Sequence, residues 1–170
     1  MTDRDSQILQ LATEVGGALQ RRGWFMGTAE SCTGGLVAAA MTSVAGSSAW
    51  FDRGFVTYTD EAKVSQLGVE PRSLQEYGAV SEIVARQMAA GVLAAAPQAR
   101  VAVSTTGIAG PGGATPGKPV GMVCFGFALR TADGLVVRAQ TRNFEGDRAD
   151  VRRATVVHAL EALLELIEPR

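Results

Sequence analysis

Ser31 stands in the run AESCTGG (29–35), between two short apolar stretches. A buried strand before it and a helix after Gly34–Gly35 would lift its hydroxyl above the edge of a sheet. The helix start would aim backbone N–H groups at the same place. Such groups hold phosphate or stabilise an oxyanion. Glu30, Thr33, Gly34 and Gly35 are therefore candidate substrate contacts. Serine and threonine ahead of a helix also serve as N-caps, and spacing alone leaves both readings open. The run is not G-x-S-x-G, so no α/β-hydrolase elbow is expected.

Tyr58 and Lys63 form a second candidate group, at the end of a strand and on a short helix after it. A lysine so placed is ordinarily a solvated surface residue. The single histidine changes its weight, because His158 falls mid-helix among apolar residues, an unpromising base. If Ser31 is activated, a lysine is the better base, provided that burial lowers its pKa.

The third group is STTGIAGPGG (104–113), where a strand ends in Ser104, Thr105 and Thr106 and runs into glycines. Open α/β sheets bind ligands at the C-terminal ends of their strands, and glycine lets backbone approach a ligand. Thr105, Thr106 and Gly107 are thus candidate pocket residues, although glycines can serve a turn alone. Residues 112–118 read G-x-x-x-x-G-K, but Pro119 stands where a phosphate loop needs Ser or Thr, and a strand follows instead of a helix. One histidine and the distant Cys32 and Cys124 give no zinc spacing. No metal and no organic cofactor is expected.

The elements that must position these residues can be read from periodicity. Ile8, Leu11, Ala12, Val15 and Leu19 share one face of a helix over 5–22, ended by Gly23. Residues 24–29 read as a buried strand and 36–44 as an apolar helix. A strand over 51–58 leads into a short helix from Asp60 to Gly68, and 71–78 reads as a turn of helix. Ser81 caps a helix over 82–95, stopped by Pro97. A strand over 100–107 precedes the Gly/Pro-rich loop 107–121. Ala-Asp-Gly (132–134) joins strands over 120–129 and 134–144, and Asp147 caps a last helix running to about Ile167. The order αβαβααβββα predicts a single α/β domain over 1–170, a three-layer α/β/α sandwich with a mixed sheet.

Composition narrows the partners. With 46% apolar residues, the 170-residue chain can build a proper core. Its 16 basic and 17 acidic residues are interspersed without a basic stripe, which argues against nucleic acid as a partner. No signal peptide and no bilayer-length apolar run is seen, so a reduced, cytoplasmic protein that does not bind membranes is expected.

Four blocks, AESCTGGLVAAAMTSVAGSS (29–48), FVTYTDEAKVSQLGV (55–69), GAVSEIVARQMAAG (78–91) and STTGIAGPGGATPGKPVGMV (104–123), make the chain resemble the CinA C-terminal domain family. The resemblance runs from about residue 7 to 167. It implies an α/β/α fold and hydrolysis of the carboxamide of a pyridine mononucleotide, nicotinamide mononucleotide, to nicotinic acid mononucleotide and ammonia. It also implies Ser31 as nucleophile, Lys63 as base with Tyr58 close by, and Thr105, Thr106 and Gly107 as pocket lining. Ser48, beside Ser47, is a candidate phosphate contact, and homo-oligomers are expected because relatives tend to self-associate. Thr59 and Asp60 stand where many relatives read Ser-Asn. A pocket that binds a nucleotide without turning it over, or one that hydrolyses another small amide, would share most of these residues. What separates the first from an amidohydrolase is whether Ser31 attacks.

Overall fold

The computed structural model describes residues 3–169. Its elements follow the order α1 (Asp3–Arg22), β1 (Phe25–Glu30), α2 (Leu36–Thr42), β2 (Phe51–Val56), α3 (Asp60–Leu67), α4 (Pro71–Tyr77), α5 (Glu82–Ala95), β3 (Ala99–Gly107), β4 (Met122–Thr131), β5 (Gly134–Asn143) and α6 (Arg148–Ile167). A single 3-10 turn, Ser47–Ala49, precedes β2. The sheet order is β2-β1-β3-β4-β5. β1 runs parallel to both β2 and β3, while β3, β4 and β5 are antiparallel neighbours. This is the mixed three-layer α/β architecture that the alternating elements predict. The stretch 71–78, read as one turn, is a seven-residue helix with Pro71 in its first turn.

Strand alternation divides the core in two. Met26, Val101, Val103, Val123, Phe125 and Phe127 face α1, α2 and α6, and meet Val15, Leu19, Met41, Leu160 and Leu163 there. Ala29, Ala102 and Ala128 face α3, α4 and α5, and meet Leu67, Leu74, Val84, Met88 and Val92. Small residues let α5 lie close on this second face. A Cβ on Gly126 would stand 2.0 Å from the Ala85 carbonyl oxygen, and one on Gly27 would stand 2.6 Å from Val92.

The connections open the site. After β1 the chain turns to the α2 face and returns as β2; after β2 it leaves by the α3–α5 face and returns as β3, on the other side of β1. Departures to opposite faces leave a crevice at the C-terminal ends of the parallel strands.

Candidate active site

Ser31 follows the last residue of β1, and its backbone is held at both ends. Its N–H donates to the Thr105 carbonyl at 2.9 Å, and its own carbonyl accepts from the Gly34 N–H at 3.0 Å. Gly34 and Gly35 take positive φ values of 59° and 100°, which side chains other than glycine resist. The chain thus reverses within one short turn, and Ser31 is aimed at the crevice.

Lys63 meets it from α3. Thr59 caps that helix by accepting from the Ala62 N–H, and Lys63 lies on its inner side with 1% of its surface exposed. The Lys63 Nζ lies 3.1 Å from Ser31 Oγ, 2.9 Å from the Thr57 carbonyl and 3.2 Å from the Tyr58 carbonyl. Burial lowers the lysine pKa below its ordinary 10.5, against a smaller opposing effect of the Asp60 charge. Among the described residues, no carboxylate bonds to the amine. An ammonium here donates three hydrogen bonds. A neutral amine keeps two N–H groups for the carbonyls and turns its lone pair to the serine hydroxyl.

A cleft of about 220 Å³ lies over this pair, lined by Ser31, Cys32, Tyr58, Lys63, Ala79, Val80, Thr106, Gly107, Ala109 and Arg148. Thr106 Oγ1 donates to the Ala79 carbonyl at 2.8 Å and so holds the apolar wall formed by Ala79 and Val80. Tyr58 stands at the rim, 57% exposed, and its hydroxyl accepts from Arg148 Nη2 at 2.9 Å. Arg148 also donates to the Gly110 carbonyl at 2.8 Å. Cys32 is next to the serine, but burial pushes its thiol up to about 12, so it carries no thiolate near neutrality.

The remaining sequence candidates go elsewhere, each for a physical reason. Glu30 is 1% exposed, and its carboxylate accepts from the N–H groups of Gly35, Val37 and Ala38 and from Thr33 Oγ1. Those N–H groups are the start of α2, the site expected to hold an oxyanion or phosphate. An internal carboxylate occupies it, so Glu30, Thr33, Gly34 and Gly35 build the turn and do not line the cleft. Thr105 neighbours Thr106 in β3, so strand alternation sends it to the other face, where its hydroxyl bonds Thr33 Oγ1 at 2.7 Å. Ser48 lies in the turn before β2, at the end of the parallel strands opposite the cleft.

Arg148, which also lines the cleft, is not among the sequence candidates. It is 85 positions from Lys63, and nothing in its neighbourhood distinguishes it from Arg142, Arg152 or Arg153. A signal was present nonetheless: Asp147 reads as an N-cap, which puts Arg148 first in its helix. The cap is real and forms a full capping box with Asp150. Among the described residues, no group of three His, Cys, Asp or Glu side chains is placed to hold a metal ion, and no helix is long and apolar enough to cross a membrane.

Known proteins are similar over almost the whole chain. A protein named nicotinamide-nucleotide amidohydrolase PncC from Enterobacter agglomerans is 53% identical over 165 residues, covering 96% of this chain and 98% of that one. Its namesake from Escherichia coli K12 is 52% identical, covering 94% of each chain. The crystal structure of the competence damage-inducible protein A from Klebsiella pneumoniae MGH 78578 superposes with a TM-score of 0.89 at 40% identity, covering 96% of this chain and 99% of that one. That of the competence/damage inducible protein from Agrobacterium tumefaciens gives 0.87 at 46% identity, covering 94% and 95%. Residues 8–167 match the CinA C-terminal domain, and the chain belongs to that family.

Proposed function

We propose that this protein hydrolyses the carboxamide of nicotinamide mononucleotide, with Ser31 as nucleophile and Lys63 as its base. The observation that carries the reading is the amine of Lys63, buried, 3.1 Å from Ser31 Oγ and oriented by two carbonyls. A nucleophile within hydrogen-bond reach of a base that a further group orients is the arrangement covalent catalysis needs. Relatives of this length and similarity bear the name of nicotinamide-nucleotide amidohydrolase, which supplies the substrate class.

Neutral Lys63 takes the proton of Ser31 Oγ as that oxygen bonds to the carboxamide carbon, and the carbonyl π pair moves onto oxygen. Backbone N–H groups of Cys32, beside the nucleophile, and of Thr106 and Gly107, at the end of β3, are the donors assigned to that oxyanion, since all three residues line the cleft. On collapse the C–N bond breaks, and the Lys63 ammonium gives its proton to the departing nitrogen, which leaves as ammonia. Water attacks the acyl-serine, passing one proton to Lys63. The second collapse returns that proton to Ser31 Oγ and releases nicotinic acid mononucleotide. The pyridine ring lies between Tyr58 and the Ala79–Val80 wall. The 5′-phosphate reaches Arg148, the cation at the rim, since the α2 start is filled by Glu30.

The test is ammonia release from nicotinamide mononucleotide by the purified protein and by Ser31→Ala and Lys63→Ala. The expected result is turnover in the parent and a loss of about 10⁴-fold or more in each folded variant. A parent that binds the nucleotide without releasing ammonia, or a Ser31→Ala variant that keeps turnover, overturns the reading.

A further inference from the structure

We infer that Arg152 is a positioning residue for the nucleophile. It holds the Cys32–Thr33 and Thr33–Gly34 peptide units of the turn that carries Ser31, so its loss lowers the rate of turnover more than the affinity for substrate. The inference rests on Ser31 being the nucleophile.

Arg152 projects from α6, one helical turn after Arg148. Its Nε donates to the Cys32 carbonyl at 3.2 Å and its Nη2 to the Thr33 carbonyl at 3.0 Å. Among the described residues it forms no salt bridge. The carboxylates nearest along α6 are engaged otherwise: Asp150 with Arg4, and Asp147 in the capping box. The turn 31–35 is therefore gripped by two charges of opposite sign. Glu30 takes its N–H groups from inside, and Arg152 takes its carbonyls from the α6 side.

The effect on Ser31 follows from peptide geometry. In a trans peptide unit the carbonyl of one residue and the N–H of the next point in opposite directions. Fixing the Cys32 and Thr33 carbonyls therefore also fixes the Thr33 and Gly34 N–H groups. The Gly34 N–H is the group that closes the turn on the Ser31 carbonyl. Arg152 thus sets the backbone whose Cα–Cβ bond points Oγ at Lys63. A planar guanidinium suits this work, because one rigid group reaches two acceptors at once, as a lysine ammonium does not. Gly34 and Gly35 add freedom to the turn, which makes an outside restraint more consequential.

Arg152 does not line the cleft over Ser31 and Lys63, so its role separates from binding there. In Arg152→Ala the expected result is a kcat lower by about 10–100-fold, the scale of an ångström of misplacement, with KM within about twofold. Added guanidinium, at concentrations well below those that unfold the protein, should restore part of that kcat. Arg152→Lys, folded whether or not the alanine variant is, should fall between the two. Arg153→Ala removes the same charge one residue along, from a surface pair with Asp5, and should keep both constants. A kcat unchanged in Arg152→Ala or Arg152→Lys overturns the inference, as does a loss confined to KM, or one that guanidinium does not relieve and that tracks the unfolded fraction. Ser31→Ala, run beside them, separates the two ideas. If it keeps turnover, the nucleophile assignment fails; if it is inactive while Arg152 variants are fast, only the positioning role fails.

Discussion

The segments at the ends of β1 and β3 have the same make-up: a buried strand, threonine at or just past its end, then paired glycines. One runs Ser31-Cys32-Thr33-Gly34-Gly35; the other runs from Thr105 and Thr106 through Gly107 to Gly112–Gly113. In the first, Glu30 and Arg152 engage the backbone polar groups, and the residues that reach the cleft are Ser31 and Cys32. In the second, among the described residues, positions 109–114 donate no backbone–backbone hydrogen bond, and the loop is tied down at Ile108 and by Arg148 on the Gly110 carbonyl. A turn saturated by its own charges fixes one reacting group. A turn held at a few points forms a wall that can meet a ligand. Composition does not tell the two apart; the partners of the backbone do.

Removing the inner charge should break the first turn. Glu30→Ala strands three N–H groups and leaves the Thr33 hydroxyl with Thr105 alone as partner, and should cost about 2–4 kcal/mol in denaturant unfolding. The equivalent blow to the second turn is Arg148→Ala, which should leave the fold intact. It should raise KM for nicotinamide mononucleotide by about 10–100-fold, the scale of lost charge-assisted bonds. The riboside, which lacks phosphate, should be nearly indifferent to it. Equal losses on both substrates would remove Arg148 from phosphate recognition.

Between the turns sits Lys63, and its titration offers a third comparison. Its pKa in the folded protein is lowered, and on the proposed reading the neutral form is the base. The kcat/KM should therefore rise with pH, about tenfold per unit below that pKa, and level above it. Stability follows the same sign. Between the folded pKa and the ordinary 10.5 the unfolded chain binds more protons, so stability rises with pH through that window. Lys63→Met should abolish both trends and unfold at a higher temperature at neutral pH. Smaller effects separate the glycines. Gly35→Ala must adopt φ near 100° and should cost about 1–2 kcal/mol, whereas Gly112, in open space with ordinary φ, should tolerate alanine within about 0.5 kcal/mol. Least of all, Ser48→Ala should leave KM within about twofold, being at the far end of the sheet; thermal melts and steady-state kinetics check these two.

Much of this was legible in the sequence, because periodicity and breakers are local. Ile8 to Leu19 at helical spacing, Pro97 after α5 and Asp147 before α6 fixed their elements to within about a turn. The pairing of Lys63 with Ser31 was legible in two ways: His158 was a poor base, which favoured a lysine, and the resemblance to the CinA C-terminal domain family implied Lys63. His158 in fact packs against Phe125 and bonds Gln140. What failed was the assignment of partners to buried polar groups. Glu30, Thr33 and Thr105 look like ligand-facing residues because they are polar and lie at a strand end. A buried carboxylate, though, must find N–H donors, and the nearest were five to eight residues ahead in its own chain. Arg148 and Arg152 were hard to single out for the opposite reason: the Asp147 cap places Arg148 in its helix, but both arginines reach the site through the packing of α6, which no local pattern encodes.

That packing bears on how the protein comes into being. On the proposed reading the working parts lie at positions 31, 63, 106, 148 and 152, and synthesis delivers them in that order. α1, made early, keeps one apolar side for α6, made late, and the two pack together. A nascent chain that has emerged through β5 holds the serine and the lysine but neither arginine. On the proposed reading, such a chain can form most of its sheet and still be inert. Its activity arrives in a single event, when α6 settles against α1 and brings the two guanidinium groups to turns already waiting for them.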